Sequence, residues 1–146
     1  LDHRIDVIAT DHAPHTKEEK ANTYLNAPSG GPLVQHALPV MMQKVHDGVI
    51  DMETLVQKMC HNPAILFRVE DRGFLREGFH ADFVLVDPNR PWSVSKDNIL
   101  YKCGWSPFEG TLLKSRVTHT FVGGHLVYRY GQIDSSMKGS RLKFNR

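Results

Sequence analysis

The string Thr10-Asp11-His12-Ala13-Pro14-His15 puts one carboxylate and two imidazoles directly behind the apolar run Ile5 to Ala9. In parallel β/α barrels, reactive groups gather where strands end and loops begin. Asp11 therefore stands where a metal ligand or a general base is expected. Read from the residues alone, Asp11, His12 and His15 could also form a compact three-ligand zinc site, although Pro14 stops a helix from aligning them on one face. A third reading makes Asp11 a strand-end residue that caps the next turn.

The elements that must position these groups follow from pattern. Ile5 to Thr10 reads as a short strand of β-branched and small residues, suited to burial on both faces of a parallel sheet. Thr16 and Glu19 form a capping box for a helical turn. Asn26 to Pro32 is a loop whose glycines permit unusual backbone geometry. From Leu33, the apolar residues Val34, Ala37, Leu38, Met41, Met42 and Val45 recur at helical spacing, with Pro39 kinking that helix or marking its start. Asp51 caps a second helix, stapled by Ile50 and Leu55 and reaching Met59 or Cys60. Asn62-Pro63 then reads as the cap and first-turn proline of a short helix to Phe67. Beyond Arg68 the pattern turns strand-like. Ala81 to Asp87 is a strand ended by Pro88, and Val117 to Val122 with His125 to Tyr130 flank Gly123-Gly124 as a tight hairpin. The chain divides near residue 70.

Composition excludes several classes. With 146 residues, 40% hydrophobic and 23% charged, and a net charge of +2, there is no case for disorder or for a nucleic-acid footprint. Lys138, Arg141, Lys143 and Arg146 make a solvated basic tail. Cys60 and Cys103 form neither a disulfide framework nor a zinc knuckle, and read as buried inert thiols in a reducing compartment. No apolar run approaches the ~20 residues of a membrane span, and no signal peptide opens the chain, so the cytoplasm is the expected location. No Met precedes Met41, which suggests a segment of a larger protein. His36, His46, His61, His80, His119 and His125 lack ligand spacing and read as surface or hairpin residues, His119 and His125 facing each other across the hairpin. Trp92 and Trp105 read as packing residues away from the acid and histidine cluster.

Asp11-His12-Ala13-Pro14-His15, followed by Lys17-Glu18-Glu19-Lys20, resembles the signature of the dihydroorotases, pyrimidine-biosynthesis members of the amidohydrolase superfamily. The strand Ala81 to Asp87 behind Gly73 and Gly78, and the Val117 to Gly131 hairpin, resemble the carboxyl-terminal β elements of that superfamily. The resemblance implies an α/β fold: the carboxyl-terminal portion of a metal-dependent-hydrolase β/α barrel over residues 1–69, and a share of a small β-sandwich over residues 70–146. It implies reversible cyclisation of N-carbamoyl-aspartate to dihydroorotate at a binuclear zinc centre, with Asp11 as both metal ligand and general acid/base. On the same mapping His15 binds the substrate carboxylate, Ser29 and Gly30 contact substrate through the main chain, and His12 shapes the loop.

The pattern also departs from that family. Pro32-Leu33-Val34-Gln35-His36 stands where many members carry Gly-Leu-Glu-Thr, which leaves the substrate contacts open. A His-x-His pair, a lysine that is often carbamylated and two further metal-binding histidines have no counterpart here. The expectation is that the rest of a parent chain supplies them, and that these residues alone are inactive and bind zinc weakly or not at all. Homodimers are common among such proteins. The alternatives are a hydantoinase- or allantoinase-type cyclic amidohydrolase, and a catalytically dead homologue kept as a structural partner.

Overall fold

A computed structural model describes residues 4–145. Arg146, counted above in the basic tail, lies outside them. The first half is helical: α1 (Lys17–Lys20), α2 (Ala37–His46), α3 (Met52–Val56) and α4 (Asn62–Leu66). The second half is a four-stranded antiparallel sheet in the order β1 (Phe83–Asp87), β4 (Arg116–Val122), β5 (His125–Arg129), β6 (Gln132–Ile133). A two-stranded ribbon, β2 (Trp92–Ser93) with β3 (Leu112–Leu113), stands apart from it.

The expected capping signals are present. Thr16 and Glu19 form the capping box of α1. The Asp51 carboxylate accepts the Thr54 N–H at 2.7 Å at the head of α3. α2 begins at Ala37, so Pro39 lies in its first turn, where a missing N–H leaves no internal bond unmade.

Asn62-Pro63 behaves differently from the expectation. The chain stays helical from Met52 to Leu66, and Gln57–His61 widens into a π-helical turn in which the Asn62 N–H bonds the Gln57 carbonyl. A proline inside a helix lacks the N–H that its turn needs and crowds the carbonyl four residues back. The wide turn accommodates both effects, so Asn62 is a helical residue and not a cap.

The expected strand Ile5 to Thr10 is not part of any sheet, and Ile5 is 68% exposed. A parallel strand needs neighbours for its backbone groups, and no strand among the described residues runs beside it. It is held from the helical side instead. The Ile8 N–H donates to the Lys58 carbonyl at 3.0 Å, the buried Lys58 ammonium donates to the Ile5 carbonyl, and Asn62 Nδ2 donates to the Asp6 carbonyl at 2.6 Å.

The hairpin follows its glycines. Gly123 and Gly124 both have positive φ, 55° and 82°, the geometry of a two-residue turn that matches strand twist. Asp82 accepts the Gly123 N–H at 2.6 Å and pairs with Arg72, which ties the turn to the start of β1. Phe83 and Phe121 sit opposite each other and stack at 4.6 Å. His119 pairs with Arg129 and His125 with Val122, so the two histidines do not face each other. The basic tail is exposed, but its backbone docks: Phe144 bridges Val69, and the Glu70 N–H bonds the Lys143 carbonyl at 3.0 Å.

The core comprises Met42, Leu55, Ala64, Val94 and Leu113, drawn from both halves of the chain. His36 joins them. Expected at the surface, it is fully buried at 0% exposure, with Trp92, Tyr101 and Phe108 around its ring. Its Nδ1 meets Ser106 Oγ at 3.0 Å and Tyr101 OH at 3.3 Å, while Nε2 has no partner among the described residues. Protonation would place a second N–H in that apolar setting, and burial accordingly lowers the His36 pKa. Cys60 also departs from expectation, because it is exposed; desolvation of its thiol still raises its pKa and keeps it protonated.

A histidine whose folded pKa is depressed binds its proton more readily in the unfolded chain, so its contribution to stability is lost as pH falls below about 6.5. The difference in thermal midpoint between the native protein and His36→Gln should therefore shrink on going from about pH 8 to about pH 5.5, as followed by circular dichroism.

Candidate active site

The extended segment ends at Asp11, which is exposed and adopts the left-handed conformation with φ of 43°. Few residues other than glycine tolerate that region, and aspartate is among them. The chain therefore turns at its carboxylate. One residue on, His12 forms a parallel bridge with Gly31, and the Ala13 N–H donates to the Gly31 carbonyl at 3.1 Å. This pairing lays the Asp11–His15 loop beside the Ser29–Gly31 loop.

His12 acts on the backbone. Its Nδ1 accepts the Leu33 N–H at 3.1 Å and the Val34 N–H at 3.4 Å, fixing the turn that leads into α2. Among the described residues no group of three or more His, Cys, Asp or Glu stands together as a metal site. The compact arrangement of Asp11, His12 and His15 is thus not formed, and His12 has already committed one ring nitrogen to the turn.

His15 is partly exposed, with Nδ1 3.6 Å from Glu19 Oε2. Glu19 also accepts the Thr16 N–H at 2.7 Å. That backbone bond, ahead of the charge of His15, holds the Glu19 carboxylate below its usual pKa.

Ser29 is exposed and Gly30 sits at φ of 89°. A Cβ on Gly30 would fall 2.5 Å from the Ala13 Cβ, so only glycine lets the two loops approach this closely. Lys20 secures the same loop, its ammonium donating to the carbonyls of Pro28 at 2.6 Å and Gly30 at 3.0 Å.

Three contributors escaped the sequence reading. Lys20 stands in the Lys17 to Lys20 string, but its type alone does not reveal a loop clamp. Gln35 lies in the stretch that departs from the family pattern. It spans to the second half, with Nε2 donating to the Asn98 carbonyl at 2.7 Å and Oε1 accepting the Leu100 N–H at 2.8 Å. Trp105, read as remote, reaches the site: its indole N–H donates to the His15 carbonyl at 2.7 Å. No signal in the sequence marks that contact, which joins residues far apart in the chain. A cleft of about 580 Å³ lies elsewhere, between Leu38, Trp92, Val117 and Tyr128, and none of Asp11, His15, Ser29 or Gly30 lines it.

Comparison with known proteins gives the family and the fold. Residues 3–127 match the model of the amidohydrolase family. A dihydroorotase of Pyrococcus furiosus is 36% identical over 95% of this chain and 32% of its own length. A dihydroorotase of Halobacterium salinarum is 45% identical over 75% of this chain and 26% of its own length. The chain therefore spans about a third or less of these relatives. Among solved structures, a D-hydantoinase from Thermus sp. superposes with a TM-score of 0.80 at 25% identity, and an L-hydantoinase from Arthrobacter aurescens with 0.76 at 30%. Each superposition covers 88% of this chain, and 29% and 30% of the respective hydantoinase.

Replacing Lys20 by Met in the protein that carries this chain should leave the Pro28 and Gly30 carbonyls without their ammonium. Hydrogen exchange of the amides at 29–31 is expected to quicken about 10-fold, on the order of 1.4 kcal/mol of local stability, with α2 unchanged.

Proposed function

This chain belongs to the amidohydrolase family, and from that premise we propose that it is the carboxyl-terminal part of a dihydroorotase, closing and opening the ring amide between N-carbamoyl-aspartate and dihydroorotate. The observation that carries this reading is the pairing of His12 with Gly31, which sets Asp11 and His15 on one loop directly against Ser29 and Gly30 on another. The named relatives support the substrate class.

Asp11 is the catalytic carboxylate. Exposed at the end of the extended segment, it takes the proton of the attacking water and returns it to the ring nitrogen as the amide opens. His15 binds the substrate carboxylate, its ring oriented beside Glu19, and Ser29 and Gly30 receive the substrate along their main chain.

A carboxylate oxygen is a good zinc donor, so Asp11 fits the role of one ligand in a metal centre, and the other ligands would come from the rest of the parent protein. When bound, zinc lowers the pKa of water and polarises the scissile carbonyl. With one donor the chain by itself holds zinc weakly and is inactive. Within the parent, Ile5 to Thr10 pairs with strands from outside this chain as the last barrel strand, the rest of residues 1–69 forms its loops and the helices that follow, and residues 70–146 form a share of the β-sandwich. No helix among the described residues is long and apolar enough to cross a membrane. The reading includes a cytoplasmic location, a role in pyrimidine biosynthesis and a homodimer.

The hydantoinase superpositions favour a second reading, a cyclic amidohydrolase acting on hydantoins, with the same role for Asp11. Assaying the full-length protein with dihydroorotate, hydantoins and allantoin separates the two; turnover confined to hydantoins would sink the dihydroorotase assignment. Asp11→Asn should lower kcat by about 10²- to 10⁴-fold without loss of the fold.

A further inference from the structure

We propose that Trp105 is a positioning residue for His15, an inference that rests on the reading of His15 as the substrate-carboxylate ligand. The peptide unit between His15 and Thr16 is held on both sides. Trp105 Nε1 donates to the His15 carbonyl at 2.7 Å, and Glu19 Oε2 accepts the Thr16 N–H at 2.7 Å. A peptide is planar, so fixing its carbonyl and its N–H fixes ψ of His15 and φ of Thr16 together. The backbone on the carboxyl side of the His15 Cα is thereby held, and Glu19 Oε2 lies 3.6 Å from the ring Nδ1.

A second tie runs parallel to the first. Glu109 lies 3.8 Å from the Lys17 ammonium and accepts the Ser106 N–H at 3.3 Å, so the segment carrying Trp105 is braced against the start of α1 at two points. The outer edge of the Trp105 ring comes within 4.0 Å of the Cβ position on Gly31. The indole therefore touches both loops of the site. Ser106, next in the chain, is buried and bonds His36, which anchors the indole to the core.

The indole N–H offers no contact to the reacting atoms, so its loss should weaken substrate binding more than turnover. In the full-length enzyme, Trp105→Phe keeps an aromatic ring in place and deletes the donor. KM should rise about 10-fold, the equivalent of one hydrogen bond, with kcat within about twofold and the thermal midpoint nearly unchanged. In a His15→Ala background the same substitution should have no further effect on KM, because the group it positions is gone. Glu109→Gln gives an independent arm if Trp105→Phe does not fold: KM should rise about twofold, and again only when His15 is present. An unchanged KM in both single variants, or a Trp105→Phe effect that persists undiminished without His15, overturns the positioning role. If His15→Ala itself leaves KM unchanged, the assignment of His15 falls, and the role of Trp105 with it.

Discussion

A few hydrogen bonds from the helices and from Gly31 hold the segment from Arg4 to Ala13, of which Ile5 to Thr10 joins no sheet among the described residues. Lys58 and Asn62 reach across from the helices to the carbonyls of Ile5 and Asp6, the Lys58 carbonyl takes the Ile8 N–H, and Gly31 takes Ala13. The carboxylate of Asp11 is placed by these bonds and by the left-handed turn at its own Cα. Loosening the helix at Lys58 would therefore move the acid, although the two are far apart in sequence.

The second half of the chain matters to the site for a related reason. His12, Gln35 and His36 each hold a turn or a packing contact on the path from the loops into α2, and all three contact residues beyond 90. Tyr101 OH accepts the Gln35 N–H at 2.8 Å, and its ring lies 5.4 Å from that of His12. The segment from Asn98 to Glu109 thus works as a brace between sheet and site. Its importance lies in where it returns to, and the many exposed apolar groups around it, such as Leu100 and Leu112, do not diminish that.

Local signals were legible in the sequence wherever a few neighbouring residues decide the outcome. The Thr16 and Asp51 caps, the Gly123-Gly124 turn and the loop-shaping part of His12 all belong to this class. The motif around Asp11 and His15 also led to the family. What could not be read depends on contacts across the chain: the burial of His36, the reach of Trp105, and the absence of sheet partners for Ile5 to Thr10. Pro63 does lie in the first turn of α4, but Asn62 is no cap, because a proline after an asparagine looks the same whether the asparagine opens a helix or continues one through a wide turn.

That wide turn at Gln57–His61 also resolves a question of phase. Leu55 and Ala64 are both buried, at 1% and 7% exposure. In an uninterrupted α-helix the residues separating them would turn through about 900°, leaving the two on opposite sides. A π turn absorbs one residue without advancing the winding, which brings them to within about 80° of each other. The helix from Met52 to Leu66 therefore presents one continuous buried side through a proline, and tightening that turn to regular α-helix with every residue retained would split that side in two.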